Sequence, residues 1–176
     1  SGSADDNGSS SNTTNSSSTF TLEPFSLVES NGYSTANIDT AGKLAYFASQ
    51  VNADKSDWRN ASVKLTADID LSGKIWTPIG KGKGSTFITF TGIFDGQGHT
   101  ITGLTIDTSV LSDDFVYGGL FGRASGATIK NFTMTDVSIA GGDSATCAAV
   151  VGAAGGSTTI SNVVVLNGSV SGYNSI

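Results

Sequence analysis

Apolar and polar residues alternate along most of the chain, and the period changes once. In "VKLTADIDL", Val63, Leu65, Ala67, Ile69 and Leu71 fall on one face, with Lys64, Thr66, Asp68 and Asp70 on the other. A period of two marks a strand with one buried face. The change comes in "IDTAGKLAYFASQVNAD", where Leu44, Phe47, Ala48 and Val51 recur at i, i+3, i+4 and i+7. That spacing predicts one α-helix over about residues 40–53, with Asp39 or Thr40 able to cap its start. Ahead of it, "TFTLEPFSLVES" reads as extended. From Ser62 onward the pattern predicts only short strands and turns, with one turn at Asp95-Gly96.

The short strands repeat. "GGLFGRASGATIKNFTMTDVSIAGG" begins at Gly118, and "AAVVGAAGGSTTISNVVVLNGSVSG" begins at Ala148. Gly122 aligns with Gly152 at a spacing of 30, while Ile129 with Ile160, Asn131 with Asn162 and Ile139 with Val170 align at 31. An earlier copy, "GIFDGQGHTITGLTI" from Gly92, sets Phe94 against Phe121, Ile101 against Ile129, Leu104 against Phe132 and Ile106 against Met134, a spacing of 27 to 28. The extra residues of "DTSVLSDDFVY" then fall in a loop. A repeat of this length signals stacked units, none of which can bury its apolar face alone. The expectation is an all-β solenoid, a parallel β-helix, with the 40–53 helix as a short N-terminal cap that blunts an exposed sheet edge. Thr100, Thr128 and Thr159 are expected to stack in one column, and Cys147 to stand over Tyr117.

Composition narrows the picture. Residues 1–19 are rich in Ser and Asn and carry too little apolar surface to repay ordering, so they read as a flexible tether to a β-helix domain over 20–176. The net charge is −6, and the nine Lys and Arg lie between Lys43 and Lys130 without forming a run. Nucleic acid is therefore not an expected partner. A single Cys gives no disulfide framework, and one Cys with one His gives no zinc site of the usual kind. No apolar run approaches the roughly 20 residues of a membrane-spanning helix. No cofactor is implied.

"LTADIDLSGKIWTPIG", "FTGIFDGQGHTITGLTI", "GGLFG…ATIKNFTMTDVSIAG" and "VVGAAGGSTTISNVVVLNGSVSG", in that order, resemble bacterial surface proteins carrying the GLUG motif. The likeness runs from about Tyr33 to Gly172, and the last copy departs from it, with "VVGAAG" where the motif has "GLFG". The resemblance implies a right-handed parallel β-helix in an extracellular or outer cell-surface protein, adhesin-like, with no implied enzymatic activity. Ser1 to Asp6 also resemble the segment that follows a lipidated cysteine in Bacteroidota surface lipoproteins, which implies a lipid anchor upstream of Ser1. The last copy stops close to the end of the chain, so the expectation is a piece of something longer, or a subunit that associates end to end.

Candidate chemistry is sparse. His99 lies four residues after Asp95 in "FDGQGHT", but a dyad needs a nucleophile or second acid in reach, and the stretch reads as a turn. Asp68 and Asp70 share one strand face and are the candidates for a cation, or for a glycosidase pair. "GKGKGS" lacks the P-loop spacing and reads as a flexible loop. Trp76 is assigned to the core, and Cys147 to a buried or half-buried position. Trp58 in "KSDWRN" lies in a polar loop, exposed. Together with Lys81 and Lys83 it is a candidate surface ligand contact. Six N-x-[ST] sequons, at Asn7, Asn12, Asn15, Asn60, Asn131 and Asn167, are what a Ser/Thr-rich sequence produces by chance. No catalytic set emerges.

These readings converge on a non-enzymatic surface or secreted β-helix, an adhesin or structural stalk, whose partner is a host or bacterial surface glycan or protein. Its function is placed in side loops near residues 54–61, 80–90 and 107–117. Two alternatives stay open: a carbohydrate-binding or carbohydrate-active β-helix, and a self-assembling subunit of an extracellular fibre.

Overall fold

Alternation in short segments, many closed by Gly, Asn or Asp, gives a protein whose regular structure is mostly short strands. The computed structural model describes residues 19–172. The proposed tether, but for its last residue, lies outside the described residues. The elements are β1 (Val28–Ser30), β2 (Tyr33–Ile38), α1 (Ala41–Asn52), α2 (Ser56–Arg59), β3 (Ser62–Leu65) and β4 (Ile69–Asp70). They continue with β5 (Lys81–Lys83), β6 (Thr86–Ile88), β7 (Ile93–Asp95), β8 (Thr100–Thr102), β9 (Thr105–Asp107) and β10 (Tyr117–Gly118). The chain then runs through β11 (Phe121–Ser125), β12 (Thr128–Thr135), β13 (Ser138–Gly141), β14 (Thr146–Cys147), β15 (Val151–Gly155), β16 (Thr159–Leu166) and β17 (Ser169–Gly172). The fold is all-β with two helices.

Nearly all strand pairs are parallel and join residues about one repeat apart. The largest sheet runs β1-β2-β3-β7-β12-β8-β4, with β16 also on β12. Ile129 pairs with Ile160 and Met134 with Val165 in β12–β16; Ile139 pairs with Val170 in β13–β17; Phe121 pairs with Val151 in β11–β15. These are the predicted registers of the last two copies. Corners recur too. Gly103, Asp136 and Asn167 all have left-handed φ of 53–75°, and each joins a strand of the large sheet to β9, β13 or β17. Gly, Asp and Asn are the residues that tolerate that conformation. Asn131 and Asn162, also left-handed, bend β12 and β16, and the Asn162 amide donates to Asn131 Oδ1 at 3.0 Å.

The register of the earlier copy needs correction. Phe94 pairs with Ile129 and not with Phe121; Ile101 pairs with Met134, and Ile106 with Ile139. The cause is local. Four residues, 96–99, separate β7 from β8 in a turn, where β12 uses only Asn131 and Phe132 between the equivalent partners Lys130 and Thr133. The offset therefore falls from 35 at Phe94 to 33 at Ile101, and no single spacing aligns the copy. The threonine column is corrected for the same reason: Thr128 does pair with Thr159, but Thr100 pairs with Thr133. Cys147 stands beside Gly118, one residue from the expected Tyr117, and is half-buried. Burial pushes its thiol pKa up.

One apolar core runs through the stack. Phe94, Ile129, Phe132, Met134 and Ile139 are buried, and aromatic rings join Phe47, Phe90, Phe121, Phe94 and Phe132 edge to face or tilted, 5.1–6.0 Å between centroids. Each such ring is worth about 1.5–3 kcal/mol in burial. Trp76 is buried, as assigned, and its Nε1 donates to the Leu120 carbonyl at 3.1 Å. The helix forms where its period appears. Thr40 caps it, accepting from Lys43 N at 3.2 Å, and Leu44, Phe47, Ala48 and Val51 are buried. At its last residue the Asn52 amide donates to the Pro78 carbonyl and its oxygen accepts from Gly80 N.

Three local expectations fail. "VKLTADIDL" is not one strand: β3 stops at Leu65 and β4 starts at Ile69, although the burial alternation persists. β3 pairs with β2 and β7, whereas β4 pairs with β8, so the hydrogen-bond partner changes in between. "GKGKGS" at residues 80–85 is no flexible loop; β5 and β6 pair as an antiparallel hairpin about Gly84. Trp58 is not exposed in a loop. It sits on α2, half-buried, with Phe25, Tyr46 and Phe47 at 5.2–6.0 Å, because an indole beside three rings gains more from packing than from water.

Candidate functional site

Two of the three predicted side loops meet. The β5–β6 hairpin lies along the 107–117 loop, with Gly82 N donating to the Asp114 carbonyl at 2.8 Å and Gly82 bridged to Phe115. Asp107 organises the loop's start, accepting from Ser109 N at 2.9 Å and Ser109 Oγ at 2.5 Å. Gly80, at φ +84°, has the Arg123 carbonyl 2.4 Å from where a Cβ would stand. Only glycine lets the hairpin's base lie so close to β11.

This contact places Lys81, Lys83, Phe87, Asp113, Asp114, Phe115, Tyr117 and Arg123 in one patch. Lys81 Nζ lies 3.6 Å from Asp114 and 5.7 Å from the Phe115 ring centre; Lys83 Nζ lies 3.2 Å from Asp113. The two candidate lysines are thus paired with carboxylates, and the loop tip at Asp113 and Asp114 supplies their counter-ions. Trp58 is no part of the patch.

Arg123 was not among the sequence candidates. Its Cζ stands 3.6 Å from the Phe87 ring centre and 4.7 Å from that of Tyr117. Its Nε is buried and has no hydrogen-bond partner. Among the described residues it has no carboxylate partner either. A guanidinium stacked on rings can still offer its terminal N–H groups to a planar anion, a recognition mode that Arg suits. The sequence carries no signal for this, since Phe87, Tyr117 and Arg123 lie 6 to 36 residues apart. A cleft of 400 Å³ beside the patch is lined by Lys83, Ser109, Leu111, Asp113, Val116 and Asp143 among others. A separate groove of 330 Å³ between Phe20, Leu22, α1 and Trp76 has no charged lining residue.

The carboxylates weighed as chemistry are held by backbone N–H groups. Asp68 Oδ1 accepts from Thr100 N at 2.9 Å and meets His99 Nδ1 at 3.1 Å. The Thr100 N–H first, then His99, hold its pKa below the ordinary range. The histidine partner is therefore Asp68, 31 residues away, and not Asp95. Asp70 accepts from Ser72 N, and its pKa is lowered by Ser72. Asp95 accepts from Gln97 N and the Asn131 amide; burial pushes its pKa up, but these bonds and the charges of Lys130 and Lys64 outweigh it. Among the described residues no three of His, Cys, Asp and Glu come together as a metal would need. Asp68 and Asp70 have no third ligand there.

Fold and patch together define an all-β protein of stacked parallel strands with one basic-aromatic surface cluster. No protein-family model matches the chain, and no solved structure matches it. Over 132 residues it is 38% identical to Halomucin of Haloquadratum walsbyi, an alignment that takes in 70% of this chain. It spans 1% of that protein's length. No described helix is long and apolar enough to cross a membrane.

Proposed function

We propose that the protein is a non-enzymatic module of an extracellular or outer cell-surface protein, adhesin-like or stalk-forming, wound as a right-handed parallel β-helix of the GLUG type. The parallel pairs one repeat apart and the recurring left-handed corners support the winding. The likeness to a protein named Halomucin supports the surface location. The observation that carries the non-enzymatic reading is where the carboxylates are used. Asp70, Asp95 and Asp107 each accept the backbone N–H two residues on, which closes a turn, and Asp68 accepts Thr100 N from 32 residues away, so the polar chemistry is spent on shape.

In this reading the ligand is a surface glycan or protein, met at the patch around Arg123. The alternative of a carbohydrate-binding module is favoured by one observation, the guanidinium stacked between Phe87 and Tyr117. Such a site suits sugars that carry a carboxylate or sulfate. Antibody labelling of intact source cells tests the location, and an array of acidic and neutral glycans tests the ligand. Arg123→Ala is expected to weaken binding to acidic glycans about tenfold or more, as loss of a charge-assisted pair does. Labelling only after the cells are broken, or binding unchanged by Arg123→Ala, contradicts the proposal.

A further inference from the structure

The β5–β6 hairpin is fastened firmly at its two roots and loosely beyond them. At one root Ile79 is buried and Gly80 N donates to Asn52 Oδ1 at 2.8 Å. At the other Phe90 is buried, its N–H donates to the Arg123 carbonyl at 3.1 Å, and the Thr89 carbonyl accepts from Arg59 Nε at 3.0 Å. Between Ile79 and Phe90 no side chain is buried, and residues 83–87 are all exposed. The hairpin is tied to the 107–117 loop by the Gly82–Asp114 backbone bond and by the pairs Lys81–Asp114 and Lys83–Asp113. The outer pair stands in water, with the Lys83 and Asp113 side chains 60% and 89% exposed, and such pairs hold weakly. A segment with so little buried apolar surface is one that opens locally.

This hairpin covers Arg123. Phe87, from β6, stacks on the guanidinium at 3.6 Å, and Arg123 Nε is buried with no hydrogen-bond partner. A charged donor in that state is costly, so the closed hairpin sets a ring contact against an unmet N–H. Lifting the hairpin returns Nε to water. We propose that β5–β6 is a flap that swings about Gly80 and Thr89 and uncovers Arg123 for an acidic ligand. The ligand's carboxylate then takes Nε and one terminal nitrogen side-on, the paired geometry that Arg and a carboxylate share. Gly80, at φ +84°, has the backbone freedom a pivot needs. Lys81 and Lys83 are latches in this scheme, not ligand contacts. The ligand step rests on the anion-binding reading of the patch, whereas the lifting rests on how the hairpin is anchored.

Amide exchange and a titration with glucuronate, both on the full chain, test the two parts separately. Without ligand, the Gly82 amide, whose acceptor lies on the facing loop, is expected to exchange at least about tenfold faster than the Phe90 amide at the root. Lys81→Gln combined with Lys83→Gln is expected to speed Gly82 further, by about threefold, as loss of two weak latches does. Glucuronate is expected to shift the Arg123 Nε–H resonance. The double variant is expected to bind it about threefold more tightly than the parent, although two positive charges are gone, because less of the protein is closed. Gly82 exchanging as slowly as Phe90 overturns the flap. So does weaker binding by the double variant, which makes the lysines ligand contacts. Fast Gly82 exchange with glucuronate bound by neither protein upholds the lifting, and the anion reading of the patch is then what fails.

Discussion

At the first end of the strand stack the large sheet is closed by three devices. β1 turns back antiparallel on β2, α1 lays Leu44, Phe47 and Val51 over the core, and Asn52 pairs with both backbone groups offered at Pro78 and Gly80. At the last end, among the described residues, β16 has β12 on one side and nothing on the other. The two ends use the same strand chemistry, and the inward column Phe94, Ile129, Ile160 passes through the buried region into exposure without changing character. A repeat builds its interior from identical positions, so only added elements of a different kind can end it. The first end has them.

The comparison predicts a gradient of mutational cost. Phe94→Ala, deep between Phe121 and Phe132, is expected to cost about 3–5 kcal/mol in denaturant unfolding. Ile160→Ala, in the same column but half exposed, is expected to cost about 1 kcal/mol or less when measured on dilute protein. Equal costs would mean that the last layer is covered in solution even at dilution. Asn52→Ala removes two hydrogen bonds from the closed end and is expected to cost about 1–3 kcal/mol. No loss there would show that the helix closes the edge by packing alone.

The smallest effect concerns acid. Asp68 is held below the ordinary carboxylate range by Thr100 N–H and His99. A depressed carboxylate contributes stability above its unfolded pKa of about 4 and loses it as pH falls through the folded value. Melting temperature against pH should therefore fall less steeply below about pH 4 in Asp68→Asn than in the parent. An unchanged slope would remove Asp68 from the account.

Much of this fold is legible in the sequence, and what is not has physical causes. The helix reads from Leu44, Phe47, Ala48 and Val51 because one periodic face meets the core. The register of the last two copies reads from Ile129 with Ile160, because β12 and β16 and the corners that follow them have equal lengths, and only single residues are added in the corners before. The earlier copy misaligns because 96–99 insert a turn where β12 merely bends at Asn131. Trp58 misleads because its polar neighbours conceal rings that arrive from Phe25 and Tyr46. The patch is the least legible part. Lys81 and Lys83 stand out in "GKGKGS", but their pairing with Asp114 and Asp113 comes from a loop 30 or more residues away, and Arg123 stands out nowhere. Strand period follows from local pattern, whereas a surface cluster is set by which loops the stack brings side by side.

Amide hydrogen exchange tests the contrast between the ends most directly. The account predicts slow exchange in β2 and β3, and faster exchange in β16, which pairs on one side only among the described residues. Exchange in β16 as slow as in β3, or exchange in β2 as fast as in β16, would contradict it.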